Sequence, residues 1–557
     1  MYEKDLALKE KLVKASMGKL SPELVLKNCN LVNVYSGEIL DTDVAIAFGR
    51  VISVRKNGKT AKRTIDCRGY YAVPGLIDGH VHLDSTLLTP RQLAKIILPR
   101  GTTSVLIDPM EIANVLGARG IKVLLEDAWS TPLKTFVQIS SKVPNLPGLE
   151  TTGARIGLDE IKKMIKLWWV AALGEMDPSK IIPPQRKYLL RLIAAEKAVK
   201  IRVGSAADLS EDMLEAYVSA GFGNDHECVS PEEALQRIRS GMKVTAREGS
   251  SERNLEEIVK VVTHHGIDSR HLFFCTDDKH PNDIMQEGHI DYNVRKAVKL
   301  GVDPIKAIQM ATINCAEHFR LEDKIGSISP GRIADVVLVK NLKDFNPEIV
   351  IANGDLVARA GKFLKVLPKF KWPKWSVSTV RLARELKPED FSVKSEGSTQ
   401  RVRVIKVFEG QIIKKQTQAD LKVINGEVKV DLDNDVIKIA CVERHKRTGN
   451  VAVAFVNGFN LKDGAIASSV SHDHHNIIVA GVNEQDMADA VNEIAKTSGG
   501  LIAIRRGRVL ARLELPIAGL MSELQATKVV QKLKKLNDAA HQLGCALASP
   551  FMTLSFV

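Results

Sequence analysis

The sequence predicts an α/β protein. It reads as a (β/α)8 TIM-like barrel, a β-sandwich formed by the segments flanking the barrel, and a mixed α/β C-terminal domain. Three observations carry this reading. At 557 residues the chain is too long for one core. Between residues 71 and 324, apolar strand-like runs alternate with helical patterns, as in a barrel of parallel strands. On both sides of that stretch short strands and turns take over, and a third, mixed region begins near residue 386.

Taken in order, residues 22–70 carry short runs at 24–26, 31–34, 44–46 and 51–54, broken by Asn, Gly and Asp turns. The barrel pattern then runs through strand-like 104–107 and helical 113–125, and 136–139. It continues with 170–173 and 187–195, 199–203 and 213–220, 243–246 and 254–263, and 272–275 and 292–300. KIGSISPGRIADVVLVK (324–340) and residues 349–366 return to strands and turns. Pairing the two β-rich pieces predicts a composite domain of 1–70 plus 325–385, a barrel of 71–324 and a C-terminal domain of 386–557. The last mixes strands at 402–407, 436–442, 451–455, 476–480 and 501–504 with helices at 484–496 and 523–543. No internal repeat or low-complexity segment is visible.

Composition narrows the function. The chain is 45% hydrophobic and 26% charged, ordinary for a globular protein. Its net charge of +13 comes from 79 basic and 66 acidic residues; the excess is small and dispersed, so no nucleic-acid partner is expected. The densest basic patch, KFKWPK (369–374), reads as an interdomain connector. No apolar run reaches the ~18–20 residues that span a bilayer, and the charged N-terminus lacks the apolar core of a secretory signal. No membrane association and a cytoplasmic location are expected. Cys29, Cys67, Cys228, Cys275, Cys315, Cys441 and Cys545 are scattered with no CxxC pair, which argues for free thiols. Neither a phosphate-binding loop nor a dinucleotide fingerprint is present, so no nucleotide cofactor is implied.

The chemistry-bearing residues sit at strand ends. His80 and His82 stand two apart in PGLIDGHVH, so on a strand both imidazoles face one side and can reach one metal ion. Glu175 ends the run 171–175, His226 stands in NDHE (224–227), and Asp277 ends 272–277. Each alone reads as a cap or a surface residue. Five such groups at successive strand ends point to a metal site at the C-terminal face of a barrel, where barrel enzymes place their chemistry. These are hard or borderline ligands, suited to Mn2+, Fe2+ or Zn2+.

PGLIDGHVHLDSTLLTP (74–90) resembles the opening signature of the amidohydrolase superfamily, and specifically of the bacterial and archaeal adenine deaminase family. DPMEIANVLG (108–117), NDHECVSPEEAL (224–235), REGSSERNL (247–255), FCTDDKHPNDIMQEGHID (274–291) and GSISPGRIADVVLV (326–339) resemble it too. So do ERH (443–445), GAIASSVSHDHHNIIVAG (464–481) and LPIAGLMS (515–522). The resemblance implies a metal-dependent hydrolase barrel and hydrolytic deamination of adenine, a small-molecule purine, to hypoxanthine and ammonia by metal-activated hydroxide. It implies Mn2+ or Fe2+, with Zn2+ also suitable, at one or two ions per chain, and a homo-oligomer. His80 and His82 would bind the first ion, Glu175 would bridge, His226 would bind the second, and Asp277 would be ligand and base. Asp278 and His280 follow as substrate or proton-relay contacts, Glu111 as a substrate contact. Asp84, where the family has Glu, would face the same side as the histidine pair, there to orient a ligand or the base or to contact substrate. His472 to His475 form a cluster that reads either as a further metal site or as a contact across domains. The zinc deaminases built on H-x-E and P-C-x-x-C are excluded, since no CxxC exists.

Three departures stand out. Ser205, in GSAADLS (204–210), occupies the place of a histidine expected on the second ion. Met110 also stands where the family has histidine, and MDPSK (176–180) lacks the usual Asn-aromatic-Pro-Gly. They leave open an enzyme acting on another aminopurine or a cyclic amide, or a weakened paralogue. The chain ends at SFV, where the family continues, so a short C-terminus is expected.

Overall fold

The computed structural model describes residues 2–56, 61–409 and 414–557. Its centre is a barrel of eight parallel strands in sequence order. They are β1 (Leu76–Val81), β2 (Thr102–Ile107), β3 (Lys134–Ile139), β4 (Val170–Met176), β5 (Ile201–Gly204), β6 (Asn224–Asp225), β7 (Lys243–Arg247) and β8 (Leu272–Cys275). The ring closes between the last residues of β1 and the chain just past β8. The Asp277 backbone N–H donates to the His80 carbonyl (2.9 Å), and the His82 N–H donates to the Asp277 carbonyl (3.1 Å). Closure brings the two strands so near that a side chain at Gly79 would stand 2.6 Å from the Phe273 ring. β1, β2 and β4 are buried throughout, as expected of strands covered on both faces.

β6 escapes a pattern-based reading because two residues carry no periodicity. The helix after it, Pro231–Arg239, is signalled by its start alone: Ser230 accepts from the Glu233 N–H (3.2 Å) and Pro231 opens the first turn.

The segments before and after the barrel join one nine-stranded sheet. Its seam is the antiparallel pair Tyr71–Pro74 and Val336–Val339, with Val336 opposite Pro74. Alternation along Val336–Val339 then serves two cores. Val336 and Leu338 pack with Leu24, Leu26, Leu31, Val44 and Ile46 of the N-terminal strands, and Val337 and Val339 face the barrel's core.

The C-terminal region builds a second nine-stranded sheet, with helix Glu484–Lys496 against it through Met487, Val491 and Ile494. Helix Ala526–Gln542 buries Val529, Leu533, Leu536 and Ala540, a 4-3-4 spacing that makes one apolar stripe. Leu533, Phe551 and Leu554 belong to the same continuous core as the barrel, so this region is packed on the barrel. The 369–374 connector packs there too: Trp372 is buried, and Arg91 lies 5.5 Å from the Phe370 ring centre. All seven cysteines are free thiols. No helix among the described residues is long and apolar enough to cross a membrane.

Candidate active site

His80 and His82 are aimed by what holds their far nitrogens. His80 Nδ1 lies 2.6 Å from Gln138 Oε1, and the Gln138 amide nitrogen donates to the Gly79 carbonyl (2.7 Å), so its oxygen is left to accept from Nδ1–H. His82 Nδ1 lies 3.1 Å from the Asp108 carbonyl, which can only accept, and 3.1 Å from Glu111 Oε1. Both rings thereby present Nε2 to a common point. The two Nε2 atoms are 3.3 Å apart, and each is 3.4 Å from Asp277 Oδ1. Burial, with His226 and His82 beside it, lowers the His80 imidazole to about 4. Burial also disfavours a charged His82, yet Glu111, Asp278 and Asp277 raise it well above its ordinary value. The carboxylates thus call for positive charge between the rings. A divalent cation meets that demand with no proton on either ring, and imidazole nitrogens with a carboxylate oxygen are a donor set for it.

Asp277 sits at φ +58°, in the left-handed region that non-glycine residues seldom adopt. Burial would raise its carboxyl, but the Arg247 guanidinium, 2.7 Å from Oδ2, and the three imidazoles overcome this and hold it below the usual carboxylate range. It stays ionised, with Oδ1 free toward the histidines.

Glu175, near the end of β4, has its N–H bonded to Asp108 Oδ2 (3.1 Å), and its neighbour must be glycine: a side chain at Gly174 would stand 2.2 Å from that oxygen. Its Oε2 lies 3.1 Å from His226 Nε2 and 3.7 Å from His80 Nε2, while Oε1 lies 3.0 Å from Lys142 Nζ. His226 stacks on His80 at 4.4 Å. Its position rests on Asp225, one residue earlier. That carboxylate accepts from the Ala206 and Glu227 N–H groups (3.0 and 3.1 Å) and pairs with a fully buried Arg237 (3.1 Å).

These groups line a cavity of about 200 Å³ at the barrel mouth. That is below the ~300–1,000 Å³ typical of drug-sized ligands, so it suits a compact one. Its floor includes His82, Glu175, His226 and Asp277; its roof comes from the C-terminal region, through His472, Asp473 and Phe556. Phe556 stacks on His472 at 4.7 Å, and His472 Nδ1 lies 3.5 Å from Glu111.

The other expected site residues divide. Glu111, Met110, Ser205 and Asp278 line the cavity; burial pushes the Asp278 carboxyl up to about 7, against the pull of His82. Asp84 approaches the histidine pair through Glu111, which lies beside it and stands 3.1 Å from His82 Nδ1. The chain leaves the strand after Val81 and coils into a 3-10 turn at Asp84–Thr86, so the two-residue alternation stops and Asp84 Oδ2 accepts from the Ile112 N–H (2.7 Å). His280 stands before helix Pro281–Gln286, its N–H bonded to Ser250 Oγ (2.8 Å), and is not among the cavity's lining residues. Of the histidine cluster, only His472 reaches the cavity. Lys142, Glu227, Arg247 and Phe556 were not singled out by sequence reasoning. Arg247 ends an apolar strand as Asp277 follows one, so the strand-end rule could have found it. Lys142, after two serines, reads as a solvated loop residue, and Phe556 as a terminal apolar residue.

Comparison with known proteins agrees over nearly the whole length. Residues 71–357 match the amidohydrolase family, and residues 411–557 match the adenine deaminase C-terminal domain. An adenine deaminase of Desulforamulus reducens is 44% identical over 99% of this chain and 94% of its own length. One of Mesorhizobium japonicum is 40% identical over 98% of this chain and 92% of its own length. A crystal structure of an adenine deaminase overlays with a TM-score of 0.47 at 15% identity, covering 60% of this chain and 99% of that one. Members of the amidohydrolase family are divalent-metal hydrolases, and the buried histidine–carboxylate groups described above supply ligands of that kind. By its family matches and its full-length relatives, the chain belongs to the adenine deaminase family of the amidohydrolases.

Proposed function

We propose that this protein hydrolyses adenine to hypoxanthine and ammonia, with Mn2+ or Fe2+ as its metal. The observation that carries this is the convergence of His80 Nε2, His82 Nε2 and Asp277 Oδ1 beneath a compact, roofed cavity. It is joined to near-full-length likeness to proteins named adenine deaminase.

His80, His82 and Asp277 would hold an ion, with Glu175 and His226 beside them. A divalent ion there supplies Lewis acidity and lowers the pKa of water from 15.7 toward ~7. Asp277, kept ionised by Arg247, takes the proton of the attacking water at Oδ1 and returns it to the purine. Gln138 and the Asp108 carbonyl keep both imidazoles in the tautomer that presents Nε2. Asp278, with its Oδ1 unpaired and buried, and Glu111 offer acceptors for the substrate's N–H groups. Phe556, stacked on His472, adds an aromatic ring to the cavity's lining against which a planar purine can pack.

The test is ammonia release from adenine by protein loaded with Mn2+ or Fe2+, followed by chelation. Turnover that disappears on chelation and returns with metal is expected. Ammonia from a different aminopurine or a cyclic amide, and none from adenine, would move the substrate. No ammonia from any of them would overturn the hydrolase reading.

A further inference from the structure

Resting on that metal-dependent reading, we propose that the site holds a single ion and that the Lys142 ammonium takes the place of a second cation beside Glu175. A second ion beside the first would draw on Glu175 and His226 and on further ligands at the ends of β5 and β6. The end of β5 offers Ser205, a neutral hydroxyl that ligates these ions poorly unless deprotonated. Its Oγ is 3.4 Å from Glu227 Oε1.

Glu227 is the carboxylate that could stand in, 3.4 Å from His226 Nε2, but both its oxygens are engaged by Arg247, at 3.3 and 3.0 Å. The same guanidinium holds Asp277 at 2.7 Å. Freeing Glu227 for an ion would leave a buried arginine with one partner fewer.

Lys142 fills the other side. Lysine is almost never fully buried unless paired, and this one, 6% exposed, has its Nζ 3.0 Å from Glu175 Oε1 and 4.0 Å from Asp473 Oδ2. The two oxygens of Glu175 are therefore divided: one serves the ammonium, the other faces His226 and His80. A second dication on Oε1 would stand within a few ångströms of a fixed positive charge in a water-poor pocket.

Charge points the same way. Around Glu175 and His226 three carboxylates (Glu175, Glu227 and Asp277) face two permanent cations, Lys142 and Arg247. A second dication on that side would add to positive charge that already stands against these carboxylates. Lys142 is thus a positioning residue: it holds Glu175 in place and supplies positive charge without supplying a Lewis acid.

The full chain, loaded with Mn2+ and freed of loose ions by gel filtration, is counted for metal by mass spectrometry and examined by electron paramagnetic resonance. One Mn2+ per chain with the spectrum of an isolated ion is expected for the unaltered protein. The double variant Lys142→Met/Ser205→His is expected to hold two, with the broadened spectrum of a close pair. Circular dichroism confirms that each variant is folded, and Lys142→Arg, which keeps the charge, is expected to stay at one ion. Two ions on the unaltered protein would overturn the proposal, as would a folded double variant that still holds one. Protein with no tightly held ion would overturn the metal-dependent reading and this proposal together. Failure to deaminate adenine with one ion bound would count against the substrate alone.

Discussion

The two halves of the site are built on opposite principles. On the β1–β8 side, acceptors (Gln138 Oε1, the Asp108 carbonyl and Glu111) hold the far nitrogens of His80 and His82 and leave both Nε2 atoms facing Asp277 Oδ1. On the β4–β7 side, permanent cations already hold the carboxylates: Lys142 on Glu175, Arg247 on Glu227 and Asp277, and Arg237 beneath the segment that carries His226. The same residue types, histidine and carboxylate, occur in both halves. Whether they await an ion or are already neutralised depends on their neighbours.

The sharpest way to break this comparison is at Asp277. Asp277→Asn removes the base and a ligand, and adenine turnover should fall about 10²–10⁴-fold. A variant that kept its rate would remove Asp277 from the mechanism. On the other half the largest effect should be on stability. Arg237→Met leaves Asp225 buried and unpaired, and should cost about 3–5 kcal/mol, read as a lower urea midpoint. An unchanged midpoint would mean the pair does not anchor the His226 segment. Gln138→Leu keeps His80 but frees its ring, so Mn2+ affinity measured by calorimetric titration should drop about 10–100-fold. If affinity is unaltered, tautomer control is not what prepares the first half. The smallest effect is expected at the roof. Phe556→Ala should raise the KM for adenine about tenfold, the scale of one lost base–aromatic stack, with kcat nearly unchanged. A fall in kcat instead would place the roof in the chemical step.

Much of the architecture is legible in the chain by itself. Continuous apolar runs alternating with 3.6-period helices reveal a barrel because a strand covered on both faces and a helix covered on one each record their burial locally. β6 is the exception, too short to have a period. His80, His82, Glu175, His226 and Asp277 were visible because strand ends point to one face of any such barrel.

What the tertiary structure alone decided was each group's surroundings. Asp84 lies two residues past His82, yet the 3-10 turn sets its Oδ2 on the Ile112 N–H and brings it to the pair only by way of Glu111. Lys142 follows β3 and Phe556 lies at the far end of the chain, yet both line the same cavity. Distance in sequence says nothing about such meetings, because chain closure and domain packing bring them about. The chain by itself determined which ligands are present, while the fold determined which of them already have a cation beside them. Electrostatic partnership depends on separation in space, and only the folded molecule sets that.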